Sequence, residues 1–255
     1  MIIRELEDSF IMITQHDHAK ISGEIAHQWK DEYFKGEERK EEVVLGIYEH
    51  DRGWIEPDLA PLWNMEQQKP YTFMDYPLEA KVSFYKNGID EVAKMSKYAG
   101  LLCSAHYASF LQYEEDPIGI KFMEDESTRR LRLLKQCGIL GNMAKEKLFL
   151  HHLSILKWCD NLSLYICLHE PGVTKENEYS FFRNGISPAF SFANNEPIQL
   201  NWNDINTVSL SMSPLEKEAQ VQLVFKEVKK EDIKANGLIS AYTNTHNAYK
   251  NLRII

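Results

Sequence analysis

The chain has 255 residues and a formal net charge of −9. Hydrophobic residues make up 44% and charged residues 26%, values close to those of ordinary globular domains, which excludes wholesale disorder. The acidic balance disfavours non-specific binding to nucleic acid, because a negative surface repels phosphate backbones. No apolar run reaches the roughly 18 residues of a transmembrane helix, so we expect no membrane partner.

The N-terminus and the cysteines indicate the same compartment. The first ten residues, MIIRELEDSF, turn acidic and lack the long apolar stretch of a secretory signal. The four cysteines, Cys103, Cys137, Cys159 and Cys167, form no close pair of the kind that binds zinc. We therefore expect a cytoplasmic protein with reduced thiols.

The predicted elements begin with a β-hairpin and a helix. Residues 2–6 and 10–14 are rich in β-forming side chains and flank a polar turn at 7–9. A helix is expected over 16–30, because apolar residues recur there at intervals of four. They are Ile21, Ile25 and Trp29.

A charged linker and an aromatic loop follow. The linker, 35–42, leads into a short predicted helix over 43–51, for which Gly53 is the expected C-cap. Residues 53–80 are expected to form an ordered loop, because prolines interrupt regular structure there while the aromatic side chains still require burial. The aromatic residues include Trp54, Trp63, Tyr71, Phe73 and Tyr76. Such a loop can form the wall of a pocket.

Helices and a β-rich end complete the prediction. Helices are expected over 90–113, 125–137 and 142–168, with a stop at Pro171-Gly172. Short runs rich in β-formers then predict an antiparallel meander. These runs are 180–182, 189–192, 198–202, 208–212 and 221–228. A last helix around 230–241 and an extended piece near 252–255 follow.

This order of elements predicts an α+β fold. A lone two-stranded hairpin is marginal in water, so we expect the N-terminal hairpin to pair with strands from 178–228 in a small antiparallel sheet. The chain is expected to divide into residues 1–172, which carry the hairpin and a helical bundle, and residues 173–255, a β-rich C-terminal subdomain packed on the same body.

Four different predicted helices each carry a histidine, an aspartate or both. In chain order they are His18, the pair His50-Asp51, His106 and Asp160. His18 shares its helix face with apolar residues, and small residues precede His106, so both side chains are expected to point inward. Taken singly, His18 and His106 are equally well explained as packed core histidines.

Asp160 is the least ordinary member of this set. At about 100° per residue it shares a helix face with the apolar residues Phe149, Leu153, Leu156, Leu164 and Cys167. A buried carboxylate requires compensation by a metal ion, an arginine or several hydrogen-bond donors. Four helices that converge with imidazole and carboxylate groups are a common way to build a metal site.

The pattern of a His, a His-Asp pair and a distal Asp on successive helices resembles the HD superfamily of metal-dependent phosphohydrolases. The segment Trp-Cys-Asp-Asn-Leu-Ser-Leu around Asp160 is similar to that family's last-ligand helix. The resemblance covers residues 15–168 and implies a mainly helical HD-like bundle. It also implies that His18, His50, Asp51 and Asp160 are metal ligands, and that His106 is an additional ligand or a phosphate contact.

A second resemblance involves two shorter motifs. The segments Gln-His-Asp-His-Ala at 15–19 and His-Asp-Arg-Gly-Trp at 50–54 look like those of an uncharacterised bacterial family of about this length. That family implies no activity.

The leading hypothesis is a metal-dependent phosphohydrolase that acts on a small phosphate ester or nucleotide. Nitrogen and oxygen ligands suit a divalent transition metal, Mn, Fe, Co, Ni or Zn, which would activate water. Asp51 would be both a ligand and the catalytic group that orients this water. Arg52 would contact the phosphate at the pocket rim, as could an arginine from 129–132.

Two other hypotheses stay open. The first is a non-catalytic binding or oligomerisation protein, including a homo-oligomer, in which the His and Asp residues form a structural core and the β-rich end forms the interface. The second is a metal-dependent oxygenase with a di-iron site, for which the sequence offers few additional ligands.

Overall fold

A computed structural model describes all residues of the chain, 1–255, as an α+β fold. The helices are α1 (Gln15–His27), α2 (Lys40–Tyr48), α3 (Ile55–Leu59), α4 (Leu78–Met95), α5 (Lys97–Phe110), α6 (Pro117–Gln136), α7 (Met143–Leu168), α8 (Lys230–Asn236) and α9 (Leu238–Asn244). The strands are β1 (Ile2–Glu5), β2 (Ser9–Ile13), β3 (Trp63–Asn64), β4 (Lys69–Pro70), β5 (Leu200–Asp204), β6 (Thr207–Leu210), β7 (Ala219–Lys229) and β8 (Ala248–Ile254). None of the helices combines the length and the apolar character needed to cross a lipid bilayer.

The main sheet has six strands in the order β1-β2-β7-β8-β6-β5. The predicted pairing of the N-terminal hairpin with a later strand is confirmed, since Phe10 of β2 faces Val228 of β7. The expectation of a small antiparallel sheet is wrong in detail. Strand β8 inserts between β7 and β6, runs antiparallel to β7 and parallel to β6, and so makes the sheet mixed.

Helix α7 lies at the centre of the helical part. The consecutive residues Trp158, Cys159 and Asp160 point in different directions from this helix and are all buried. Helices α1 and α5 pack against it, and residues of the sheet join the same core. A second core surrounds Trp54 and joins α4 to α5. The predicted helix over 142–168 is confirmed almost to the residue.

The helical predictions for the middle of the chain need correction. The expected helix over 90–113 is two helices, α4 and α5, which are separated at Ser96. This serine is extended, and its hydroxyl accepts the backbone N–H of Ala99, so it caps α5. Helix α4 begins at Leu78, directly after Pro77, within the segment that was expected to be irregular. Helix α6 begins eight residues before the expected start, at a cap formed by Asp116.

The C-terminal region also differs from its prediction. Residues 180–182 lie in a turn, and Ser191–Ala193 form a 3-10 helix rather than a strand. The expected helix over 230–241 is broken at Gly237, whose φ of +79° is a conformation that favours glycine. Strands β5, β6 and β7 confirm the other three predicted runs with shifted ends.

Candidate metal centre

Five side chains from the predicted set meet in one buried cluster. His18 Nε2 lies 2.9 Å from Asp160 Oδ1 and 3.9 Å from Asp51 Oδ2. His50 Nε2 lies 3.5 Å from Asp160 Oδ1 and 3.7 Å from Asp51 Oδ2. His106 Nε2 lies 3.4 Å from Asp160 Oδ2. All five residues are buried, so the cluster is a polar site within a largely apolar part of the protein.

Separate elements supply these side chains. His18 comes from the first half of α1, His106 from the end of α5 and Asp160 from the buried half of α7. The expected helix over 43–51 ends earlier, at Tyr48, so the pair His50-Asp51 lies in the turn after α2. Gly53 is not the C-cap of this helix, because Glu49 occupies that position.

Gly53 has a different role, which is to let the turn approach α4. A Cβ atom on Gly53 would lie 2.1 Å from the carbonyl oxygen of Phe84, and one on Gly88 would lie 2.5 Å from the backbone nitrogen of Gly53. Both distances are too short for any side chain. The two glycines therefore allow the turn that carries Asp51 to rest directly on α4, with Trp54 buried beside it.

Hydrogen bonds fix the ring of His18. Ser163 lies one helical turn after Asp160 and donates its hydroxyl to the Asp160 carbonyl oxygen at 3.0 Å. His18 Nδ1 lies 2.6 Å from the same hydroxyl oxygen, and this hydrogen bond fixes the orientation of the ring. The Nε2 atom of His18 then faces the carboxylates of the cluster.

A hydrogen bond also fixes the ring of His50. Its Nδ1 atom lies 2.7 Å from the carbonyl oxygen of Ile47, which can only accept, so Nδ1 carries the proton. His50 Nε2 is buried and has no hydrogen-bond partner. The Nε2 atoms of His18 and His50 therefore face the carboxylates of Asp51 and Asp160. Nitrogen and carboxylate oxygen at these distances require a proton or a metal cation between them.

Asp51 is held from the opposite side. The hydroxyl of Tyr107 donates to Asp51 Oδ1 at 2.9 Å, and the side-chain amide of Gln15 donates to Asp51 Oδ2 at 2.9 Å. These contacts orient the carboxylate and leave part of its acceptor capacity directed at the histidines. Neither Tyr107 nor Gln15 was selected from the sequence, although both are adjacent in sequence to histidines, Tyr107 to His106 and Gln15 to His16.

Charges within the cluster are strongly coupled. Burial by itself disfavours a charged His50, but the neighbouring carboxylates of Asp51 and Asp160 outweigh it and raise the pKa of His50 to about 9. Burial opposes ionisation of Asp160 as well, yet the hydrogen bond from His18 and the nearby imidazoles lower the pKa of this carboxyl. Burial lowers the pKa of His106 to about 3, so this ring is neutral. Asp160 is consequently a carboxylate, and the cluster attracts positive charge.

Donor atoms of this kind fit a divalent transition metal. Two overlapping groups, His18-His50-Asp51 and His50-His106-Asp160, each place their ligand atoms within 4.8 Å of one another. Ligand bonds of about 2.0–2.3 Å separate opposite ligands by at most about 4.6 Å, so these groups need only small adjustments to coordinate an ion. Imidazole nitrogen with carboxylate oxygen suits Mn, Fe, Co, Ni or Zn.

A cavity of about 570 Å³ opens above this cluster. His18, Asp51, His106 and Asp160 contribute to its lining, together with twelve hydrophobic residues. The expectation that the aromatic loop forms a wall is confirmed for Trp54 and for Phe73, which both line the cavity. Trp63 lies elsewhere, packed edge-on against Phe10.

The structure does not bring the predicted arginines to this cavity. Arg52 is outside the lining, and its guanidinium donates to Glu91 at 2.6 Å and to Glu49 at 3.0 Å. Arg129 is paired with Asp90 and Glu126. The assignment of Arg52 as a phosphate contact at the pocket rim is therefore wrong for this geometry. Lys81 is the one lysine or arginine among the lining residues.

Comparison with known proteins identifies a family and no activity. A family model described as a protein of unknown function, DUF3891, matches residues 1–230. No curated protein and no solved structure matches the chain. The expected likeness to an uncharacterised family is thereby confirmed. Because the match covers most of the sequence, the chain belongs to the DUF3891 family of proteins of unknown function.

Proposed function

We propose that this protein is a metal-dependent hydrolase of the HD type, and that its substrate is a small phosphate ester. The observation that supports the proposal is the direction of the histidine rings in the cluster. The Nδ1 atoms of His18 and His50 both form hydrogen bonds, and their Nε2 atoms face the carboxylates of Asp51 and Asp160. This arrangement is typical of histidines that bind a metal, in which the far nitrogen is fixed by a hydrogen bond.

In this proposal His18, His50, Asp51 and Asp160 would hold the ion, and His106 would be an additional ligand or a phosphate contact. A divalent ion at such a site lowers the pKa of water and polarises a phosphoryl oxygen. The overall reaction forms a bond from phosphorus to a water oxygen and breaks the bond from phosphorus to the ester oxygen. One proton of the water finally resides on the released alcohol.

The protein side chains have separate parts in this reaction. Asp51, oriented by Tyr107 and Gln15, accepts a proton from the attacking water at Oδ2 or aligns that water. His106 is neutral at physiological pH, so it can accept a hydrogen bond or bind the ion. A substrate that fills the cavity would displace bulk water from the cluster, which would strengthen each of these electrostatic interactions.

Metal analysis joined to a substrate screen tests the proposal. Purified protein should contain about one or two transition-metal ions per chain, and it should hydrolyse members of a phosphomonoester and phosphodiester panel. The variant His50→Ala should lose both properties, whereas His246→Ala, which changes an exposed histidine, should keep them. A protein without bound metal, or hydrolysis that survives in His50→Ala, would contradict the proposal.

One observation favours a second candidate, a non-catalytic binding protein. The cavity walls are mostly hydrophobic and contain no arginine, which suits the binding of an apolar molecule without reaction. In this case the His and Asp residues would form a structural core. The same metal analysis separates the two candidates, since a purely structural core should contain no exchangeable ion.

A further inference from the structure

We propose that the cavity selects an ester with a large apolar group, such as an aromatic ring, attached to a single phosphate. This inference rests on the proposed function for the position of the phosphate and on the cavity walls for the apolar group. It excludes nucleoside polyphosphates as preferred substrates. The argument uses the composition of the walls, the placement of charge and the size of the cavity.

The walls above the cluster are apolar on several sides. Leu164 and Leu168 of α7 form one side, Phe110 follows from α5, and Phe181 and Phe182 come from the turn after α7. Phe110 and Phe181 are 53% and 65% exposed although both line the cavity. Large exposed aromatic side chains beside a concave site are a typical mark of ligand binding, because an apolar ligand removes them from water.

Charges are concentrated at the floor of the cavity. Asp51 and Asp160 would be balanced there by a divalent ion, which leaves Lys81 and Glu114 as the remaining charged lining residues. Lys81 donates to the backbone carbonyl oxygens of Phe73 and Met74 at 3.3 and 3.2 Å. A chain of phosphates needs several cationic donors, usually arginines. This lining contains no arginine, and Lys81 is its one lysine. The site can therefore balance the negative charge of one phosphate, bound at the floor of the cavity.

Polar groups are also scarce between floor and rim. A ribose or a base needs several hydrogen-bond partners, since a buried polar group without partners is costly. The lining offers Gln15, Tyr85, Asn161 and Tyr179 for this purpose. Of these, the amide of Gln15 donates to Asp51 at 2.9 Å, and the amide of Asn161 donates to the carbonyl oxygen of Ser187 at 2.7 Å. A volume of about 570 Å³ lies within the range of about 300–1,000 Å³ that holds compact organic ligands. An aromatic or branched aliphatic group therefore fits this space better than a nucleoside.

Two phosphonates that cannot be hydrolysed serve as probes, methylphosphonate and 1-naphthylphosphonate. Titration calorimetry on the metal-loaded full chain should show that the naphthyl compound binds at least tenfold more tightly. The variant Phe181→Ser should lower this ratio at least threefold, and Phe110→Ser, on a different element, should do the same. Because both side chains are more than half exposed, neither change should prevent folding.

Tyr249→Ser is the matched control. Tyr249 is 62% exposed on β8 and lies outside the cavity, so this variant should keep the wild-type ratio. Equal affinity for the two phosphonates, or failure of both to bind, overturns the inference. The metal content of the same sample is measured as a separate test of the proposed function. If the protein holds no metal but still prefers the naphthyl compound, the inference about the apolar walls stands and the hydrolase proposal fails.

Discussion

His18 Nε2 lies 2.9 Å from Asp160 Oδ1, although the two residues are 142 positions apart in the chain. The contact joins α1 to α7 through the interior of the bundle. Asp160 stands among buried apolar side chains, and an uncompensated charge there would cost several kcal/mol, by general experience about 3–5 kcal/mol when a buried pair is broken. The imidazoles that surround it explain how this carboxylate is tolerated, and they also make it a candidate ligand.

The first prediction is that Asp160→Asn weakens metal binding while the fold survives. Asparagine has nearly the same shape, but a neutral amide is a poorer ligand for a divalent cation than a carboxylate. Metal affinity measured against a chelating dye should fall at least tenfold, in line with the usual effect of altering a metal site. Circular dichroism should show an unchanged helical spectrum. Asp232→Asn, at an exposed position in α8, is the control, and full metal occupancy in Asp160→Asn would remove this residue from the ligand set.

A second prediction concerns Tyr107, whose hydroxyl donates to Asp51 Oδ1. Tyr107→Phe removes this bond and frees the carboxylate to rotate, so metal affinity should fall by about tenfold. Tyr85→Phe is a close control, because Tyr85 stacks on Tyr107 with ring centroids 3.9 Å apart but does not hydrogen-bond to Asp51. If both variants bind metal as the wild type does, Tyr107 has no part in orienting Asp51.

The contact between Gly53 and Gly88 leads to a third prediction. In an ordinary helix Gly88→Ala would be stabilising by about 1 kcal/mol. Here the new Cβ atom would lie 2.5 Å from the backbone nitrogen of Gly53, so α4 and the turn must separate. We expect a net loss of about 1–3 kcal/mol in the free energy of unfolding.

Urea unfolding measures this loss directly. Asn87→Ala is the matched control, since Asn87 is exposed on the same helix and its replacement should leave stability unchanged or slightly higher. Equal midpoints for Gly88→Ala and the wild type would show that the turn adapts without cost.

The fourth prediction is a pH dependence of stability that originates at His152, remote from the cluster. Tyr98 donates its hydroxyl to His152 Nδ1 at 2.6 Å, and His152 Nε2 donates to the carbonyl oxygen of Lys35 at 2.6 Å. This neutral ring is fully satisfied, and burial lowers the pKa of His152 to about 4. In the unfolded chain the same ring accepts a proton near pH 6.5.

Between these two pH values the unfolded state binds more protons at His152, so stability must fall as the pH decreases from about 6.5 to about 4. One such group contributes at most about 1.4 kcal/mol per pH unit. Unfolding in urea at several pH values should therefore give a shallower slope for His152→Gln than for the wild type. His27→Gln, at an exposed position, should keep the wild-type slope. Identical slopes for His152→Gln and the wild type would assign the pH dependence to other groups.

Local sequence patterns were sufficient for the elements that depend on near neighbours. The hairpin β1-β2 was predicted from β-forming residues on both sides of a polar turn. Helix α7 was predicted from apolar residues that recur at helical spacing and stop before Pro171. The first part of α4, residues 78–89, was not predicted, because Pro77 and the aromatic residues before it resemble a loop until the tertiary core of Trp54 supplies a partner for the helix. The mixed direction of the sheet was also missed, since strand order depends on contacts between distant segments.

For the site, the sequence determined which residue types are present and on which elements they stand. His18, His106 and Asp160 could be placed on inward faces because a helix has a fixed angular period. The distances between them depend on how α1, α5 and α7 pack, and a periodicity within one helix contains no information about its neighbours.

Tertiary structure also decided the surroundings of the cluster. It directed Arg52 to Glu49 and Glu91 rather than to the cavity, and it brought Tyr107 and Gln15 to Asp51. Ion pairs and hydrogen bonds of this kind form between whichever groups the packed backbone places within about 3 Å of each other. The sequence alone therefore predicted a His and Asp site, whereas only the packed chain determined that the space above it is apolar.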